Sequence, residues 1–123
     1  MIVAGFGFRQ GATLQSLEDA LALAQQFSPR VTLLATAADK AASPELARLA
    51  AVLGLPLTGV SAQVLARIVT PTQSDASLAS HATGSVAEAS ALAAAGPGAQ
   101  LIAVRHISPD RMATCAIAQG SIP

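Results

Sequence analysis

The chain has 123 residues and a formal net charge of zero, with seven basic and seven acidic side chains. This length predicts a single domain, residues 1–123, with one hydrophobic core. Charged residues make up only 11% of the chain, and tryptophan and tyrosine are absent. The basic stripe and aromatic platforms of a nucleic-acid-binding protein are therefore missing.

The same composition argues against several other classes of protein. No apolar run approaches the roughly 20 residues of a membrane span, and the first residues do not resemble a signal peptide. Cys115 is the single cysteine, so neither an internal disulfide nor a metal-ligand set is expected. We expect a cytoplasmic protein without a metal or cofactor. Its low-charge, alanine-rich surface would permit a homo-oligomer.

The first predicted elements are a strand, a glycine loop and a helix. Apolar residues at Ile2–Phe6 predict the strand, and the helical pattern extends from about Thr13 to Phe27. Arg9 lies in the loop, where its guanidinium suits carboxylates or phosphates. The dinucleotide fingerprint would need its third glycine where Gln10 stands. The loop is therefore either a tight turn or an anion site, but not a typical NAD site.

Strands and helices alternate through the middle of the chain. Val31–Thr36 is the second predicted strand, and a loop containing Lys40 follows it. Ser43 is expected to cap the next helix, and Gly54 to end it in the left-handed conformation. Leu57–Val60 is a short third strand.

The next segment contains a weak signal and a strong one. Ser61 is expected to cap a brief helix, whereas Thr70–Thr83 has no clear period. Ser85 followed by Glu88 predicts a capping box for a helix that continues to Ala95.

The last two predicted strands are Leu101–Val104 and Met112–Ala118, joined by a turn at Ser108–Asp110. So short a connection makes them antiparallel. The alternation predicts an α/β fold, a three-layer α/β/α sandwich with a mostly parallel sheet and an antiparallel C-terminal strand pair. Ligands of such sheets bind at the carboxyl ends of the strands. The loops at those ends, which include the loops after the first two strands and the segment at Arg105, should therefore converge.

Three segments resemble one family in chain order. Val3–Thr13, Ala38–Leu57 and Thr83–Leu92 are similar to the corresponding blocks of the cobalamin-biosynthesis family of CobE and the C-terminal domain of CbiG. Phe8 stands where that family often has a cysteine, so a thiol role is not available there. Ser43 stands where an acid often precedes the proline.

The resemblance implies a role in building the corrin ring, whose intermediates are apolar macrocycles edged with carboxylates. It implies binding of a carboxylate-rich corrinoid or precorrin intermediate, with other cobalamin-biosynthesis enzymes as further partners. The alternative is a hydrolase acting on a lactone or acyl group, with His81, Ser85 and Glu88 as candidate acid–base groups. A structural subunit is a third reading. Turnover, and the roles of His106 and Cys115, stay open.

The predicted ligand-binding residues are those that match the family blocks, and no catalytic residue is assigned. They are Gly5, Gly7, Arg9, Gly11, Thr13, Lys40, Gly84, Ser85 and Glu88.

Overall fold

The computed structural model describes residues 1–81 and 83–121, with residues 76 and 80 described by their backbone alone. Strands and helices alternate along the chain as far as β3, and the last two elements of the chain are both strands. In order, the elements are β1 (Ile2–Phe8), α1 (Leu14–Ala24), β2 (Leu33–Ala37), a single 3-10 turn (Ala38–Lys40), α2 (Pro44–Leu53), β3 (Leu57–Val60), α3 (Ala62–Arg67), α4 (Asp75–His81), α5 (Val86–Ala95), β4 (Gln100–Ile107) and β5 (Ala113–Gln119).

The five strands form one sheet in the order β3-β2-β1-β5-β4. β1 pairs in parallel with β2, and β2 with β3, whereas β5 is antiparallel to both β1 and β4. The predicted α/β fold with an antiparallel C-terminal pair is confirmed. Because β4 and β1 both oppose β5, they run in the same direction. The carboxyl ends of β1, β2, β3 and β4 therefore share one edge of the sheet.

The two faces of the sheet are packed differently. On one face, α1 and α2 bury large side chains, among them Phe6, Leu17 and Leu46. Burial of each such side chain stabilises the fold by about 1.5–3 kcal/mol. Cys115 belongs to this core, and burial raises the pKa of its thiol.

On the other face, α5 lies almost directly on the backbone of the sheet. A Cβ atom added at Gly5 would come within 2.1 Å of the carbonyl oxygen of Ala87. The small side chains of α5 and the glycine in β1 therefore depend on each other, because the contact leaves no room for a larger group on either surface. This close approach brings the N-terminus of α5 to the carboxyl edge of the sheet.

Several local predictions are confirmed and others are wrong. Gly54 ends α2 with φ 67°, and Ser61 caps α3 by accepting a hydrogen bond from the amide of Val64. Ser43 was expected to cap α2, but it makes no capping bond, and its hydroxyl donates to the carboxylate of Glu45 instead. The first helix ends at Ala24, before the predicted Phe27.

The segment predicted to lack a period contains a short helix, α4. Both C-terminal strands also extend beyond their predicted ends, and β4 continues through Arg105 to Ile107. In the described part of the chain, no helix is long and apolar enough to cross a membrane.

Candidate functional site

A cavity of about 360 Å³ lies at the carboxyl edge of the sheet, a volume within the usual range for small-molecule sites. Its walls come from β1 and the following loop, the turn after β2, the region of α4, the start of α5, and β4 with the β4–β5 hairpin. The residues that line it are Gly7, Phe8, Arg9, Lys40, Ser74, Asp75, Ser77, His81, Val86, Arg105, Ile107, Arg111, Met112, Ala113 and Thr114.

The lining is strongly cationic. Arg9, Lys40, Arg105 and Arg111 all reach the cavity, whereas Asp75 is the one carboxylate in its lining. Among the described residues, none of these four cations takes part in an ion pair. No ion pair among the described residues compensates this positive charge, and the acids Asp39 and Glu45 line an adjoining cavity that shares Arg9 and Lys40.

Arg9 and Lys40 stand on the β1–β2 side. The amide of Arg9 donates to the carbonyl oxygen of Met112 at 2.9 Å, which ties the glycine loop to the start of β5. Lys40 ends the 3-10 turn, and its Nζ lies 5.4 Å from the centroid of the Phe8 ring. This cation–π contact holds the lysine beside the arginine.

Arg105 stands near the end of β4, which β5 separates from β1 in the sheet. Its amide donates to Oε2 of Glu88 at 2.9 Å, and its Nη2 donates to the carbonyl oxygen of Gln73 at 3.3 Å. The buried carboxylate of Glu88 also accepts from the amide and the hydroxyl of Thr72. One carboxylate thus joins α5, β4 and the loop before α4 at the cavity wall.

Arg111 lies in the β4–β5 hairpin with φ 62°, in the left-handed region that favours glycine. The hairpin turn closes through the amide of Arg111, which donates to the carbonyl oxygen of Ser108 at 2.8 Å. The carboxylate of Asp110 accepts from the hydroxyls of Ser108 and Ser16 and from the amide of Met112. Asp110 is therefore engaged by the turn and by α1.

The hydrogen bonds to Asp110 lower the pKa of its carboxyl, with the Ser108 hydroxyl as the largest cause and the Ser16 hydroxyl next. A carboxyl whose folded pKa is lowered adds stability above its unfolded value and loses it as the pH falls through the folded value. Asp110→Asn should therefore lower the Tm near pH 7, and its difference from wild type should shrink as the pH falls below 3.8. Thermal unfolding between about pH 7 and pH 2 measures this.

The exposed acid Glu18 in α1 provides the control. Glu18→Gln should leave the Tm close to that of wild type across the series. A constant difference between Asp110→Asn and wild type at every pH would contradict the assigned role of the Asp110 carboxylate.

His81 connects α4 to the turn after β2. Its Nε2 lies 2.9 Å from Oδ1 of Asp39, and its side chain is largely buried. This contact fixes the wall that α4 contributes to the cavity. The His81 ring also belongs to the cavity lining.

The cavity lining includes three of the predicted ligand residues, Gly7, Arg9 and Lys40. Gly11 lines an adjoining cavity of about 400 Å³, which shares Phe8, Arg9 and Lys40 with the first. The predicted convergence of separate loops at the edge of the sheet thus includes Arg9 and Lys40.

The other predicted ligand residues line neither cavity and have contacts within the fold. Gly5 packs under α5, and a Cβ atom at Gly84 would meet the hydroxyl of Thr70 at 2.6 Å. Thr13 forms a capping box with Ser16 at the start of α1. Ligand binding by these glycines and by Thr13 stays a prediction.

Ser85 and Glu88 are both fully buried. Ser85 caps α5 by accepting from the amide of Glu88 at 3.2 Å, as expected. The reciprocal half of the predicted capping box is wrong, because the Glu88 carboxylate bonds to Thr72 and Arg105 instead. Direct ligand contact by either residue stays a prediction.

Sequence reasoning did not assign Arg111 to the site and placed Arg105 only at the edge of the sheet. The sequence feature that could have located both residues is the short turn between β4 and β5. Since β4 and β5 are joined by a tight turn, residues beside that turn must lie at the carboxyl edge with the glycine loop.

The fold and the cavity define a small α/β protein with an edge cavity lined by four cationic side chains. The chain belongs to the family described as cobalamin synthesis G C-terminus, whose family model matches residues 2–118. This membership places it in cobalamin biosynthesis.

Solved structures give the same family. The cobalamin biosynthesis protein chiG from Agrobacterium tumefaciens is 38% identical, with a TM-score of 0.77 over 99% of this chain and 100% of that chain. CobE, from the cobalamin biosynthetic pathway, is 29% identical, with a TM-score of 0.82 over 96% of this chain and 89% of that one.

A putative cobalamin biosynthesis protein G homolog from Sulfolobus solfataricus is 21% identical, with a TM-score of 0.71. The match covers 98% of this chain and 37% of the homolog, and at this identity it shows the fold alone. No curated protein matches the chain.

Proposed function

We propose that this chain binds a carboxylate-rich corrinoid intermediate of cobalamin biosynthesis in the cavity at the carboxyl edge of the sheet. The observation that carries the proposal is the presence of four cationic side chains, free of ion pairs among the described residues, around one cavity. Membership of the family indicates the pathway, and the positive charge of the cavity favours a ligand that carries carboxylates.

The lining offers what an acidic macrocycle requires. Arginine binds a carboxylate through two parallel N–H donors, and a hydrogen bond to a charged group contributes about 1.5–3 kcal/mol. Phe8, Ile107 and Met112 provide apolar surface between the cations. A volume near the lower end of the range for ligand sites suits one edge of the macrocycle with its acid side chains.

Arg9→Gln should weaken binding of a corrin polyacid about tenfold, because one charge-assisted contact of about 1.4 kcal/mol is removed. The probe is dicyanocobyrinic acid, whose side chains are free acids, titrated by its visible absorbance. Arg48→Gln is the matched control, since Arg48 is exposed on α2 and lines neither cavity. Equal affinities of the Arg9 and Arg48 variants would reject the assignment of Arg9.

The hydrolase alternative has His81 as its one supporting observation, because this ring lines the cavity and contacts Asp39. Its other two candidate groups, Ser85 and Glu88, are buried and occupied by hydrogen bonds within the fold. Incubation with lactone-bearing corrin intermediates distinguishes the two functions by mass. A gain of one water that His81→Gln abolishes would favour the hydrolase.

A binding protein of this kind would hold its ligand for another enzyme of the pathway. Transfer to a partner enzyme is the step that such a role requires. Retention of the bound corrinoid after mixing with the pathway enzymes would count against transfer.

A further inference from the structure

We infer that Arg105 and Arg111 form a second carboxylate-binding point, which continues the row of Lys40 and Arg9 along the sheet edge, so that the ligand must carry free acids at more than one position along its bound edge. The inference rests on the proposed function and narrows it to a substrate class. Polyacids would bind, whereas the same macrocycle with its acids converted to amides would be rejected.

The position of Arg105 is held by bonds that leave most of its guanidinium available. Its amide is fixed by the buried Glu88 carboxylate, and a single guanidinium nitrogen donates to the carbonyl oxygen of Gln73. A guanidinium has five N–H donors, so several stay available to a ligand. The main chain is thus fixed while the charged group faces the cavity.

Arg111 occupies a backbone conformation that is unfavourable for it. A non-glycine residue in the left-handed region carries backbone strain, and such residues cluster at functional sites. The neighbouring acid, Asp110, is held by Ser108, Ser16 and the amide of Met112 and forms no ion pair with Arg111 among the described residues. The turn therefore presents a cation where glycine would be the less strained choice.

The balance of charge across the cavity gives the selectivity. The four cations follow the strand order β2-β1-β5-β4 along the edge, and Asp75 is the one acid among the described lining residues. A carboxylate at each of two positions along this row would compensate the cations. A neutral amide still offers a carbonyl oxygen, but its NH₂ group meets only donors and it leaves the arginines without a counter-charge. Polyacids are therefore favoured at both positions.

The experiment compares two probes in titrations of the whole chain followed by visible absorbance. Dicyanocobyrinic acid carries free acids around the corrin ring, and dicyanocobinamide carries amides in their place. Wild type should bind the acid about 100-fold more tightly than the amide, since each of two charge-assisted contacts is worth about tenfold. Arg105→Gln and Arg111→Gly should each lose about tenfold in affinity for the acid and little for the amide.

Two variants separate lost binding from lost folding. Arg111→Gly relieves the left-handed strain but also loosens the unfolded chain, so its Tm should stay within about 3 °C of the wild-type value while binding weakens. Arg105→Lys keeps a positive charge and should recover part of the affinity that Arg105→Gln loses. Arg67→Gln, exposed on α3 and outside both cavities, should bind like wild type.

The outcomes distinguish this inference from the proposed function. If wild type binds neither probe, the proposed function fails and the inference fails with it. If wild type and Arg9→Gln behave as expected, but the Arg105 and Arg111 variants bind the acid like wild type, only the second carboxylate-binding point is overturned. Equal affinity of wild type for the acid and the amide would also overturn it.

Discussion

Replacing Gly5 with alanine should lower the free energy of unfolding by about 3 kcal/mol, because overpacking at a rigid contact costs this much. The added Cβ would lie 2.1 Å from the carbonyl oxygen of Ala87 and 2.6 Å from the amide nitrogen of Ala91. Both are backbone atoms of α5, so no side-chain rotation relieves the contact. The helix would have to move away from the sheet. Alanine also restricts the unfolded chain, but that gain of about 0.4–1 kcal/mol is smaller.

Gly7→Ala is the matched control on the same strand. Its added Cβ would meet the hydroxyl of Thr114 at 2.9 Å, and a side chain can rotate away. We expect a loss of about 1 kcal/mol there. In chemical denaturation, Gly5→Ala should show a lower midpoint than Gly7→Ala at a similar slope.

A second substitution tests whether backbone atoms cause the loss. Ala91→Gly removes only a side-chain methyl group, so the variant Gly5→Ala/Ala91→Gly should recover little of the stability lost by Gly5→Ala. Full recovery in the double variant would contradict the contact with the α5 backbone. A loss of less than 1 kcal/mol in Gly5→Ala would show that α5 moves freely on the sheet.

The parts of the fold predicted from sequence are those that local chemistry determines. Gly54 ends a helix because its left-handed φ suits glycine, and Ser61 and Ser85 cap helices through bonds three residues ahead. α4 could not be found in this way, because its seven residues are mostly small and polar and show no apolar stripe. It is held by contacts distant in sequence, such as that between His81 and Asp39.

The residues of the candidate site were likewise predictable only where the local sequence marked them. Arg9 stood out because it interrupts a glycine loop before a helix, and the structure places it at the cavity. Arg111 gave no local signal, since a turn residue with positive φ is expected to be glycine or asparagine. The pairing of β4 with β5 through the short hairpin brings it to the same edge, so the connection between the strands, and not Arg111 itself, carried the signal.

Glu88→Ala should lower the free energy of unfolding by about 3 kcal/mol and weaken binding of a corrin polyacid as well. The local pattern assigned this carboxylate to the amide of Ser85, but two partners 16 and 17 residues away hold it instead. Its Oε1 accepts from the amide and hydroxyl of Thr72, and its Oε2 accepts from the amide of Arg105. Removal leaves these donors unpaired in a closely packed region, where each unsatisfied group costs about 1–3 kcal/mol.

The effect on binding follows from the same contacts. Without the carboxylate, the loop before α4 and the end of β4 lose these hydrogen bonds to α5, so Arg105 is held less firmly in the cavity wall. Glu88→Gln keeps one accepting oxygen and directs an NH₂ group at a donor, so its loss of stability should be intermediate. Glu18→Ala, at an exposed acid on α1, should change stability by less than about 0.5 kcal/mol. If Glu88→Ala unfolds at the same denaturant concentration as Glu18→Ala and binds the polyacid like wild type, the carboxylate does not hold the cavity wall together.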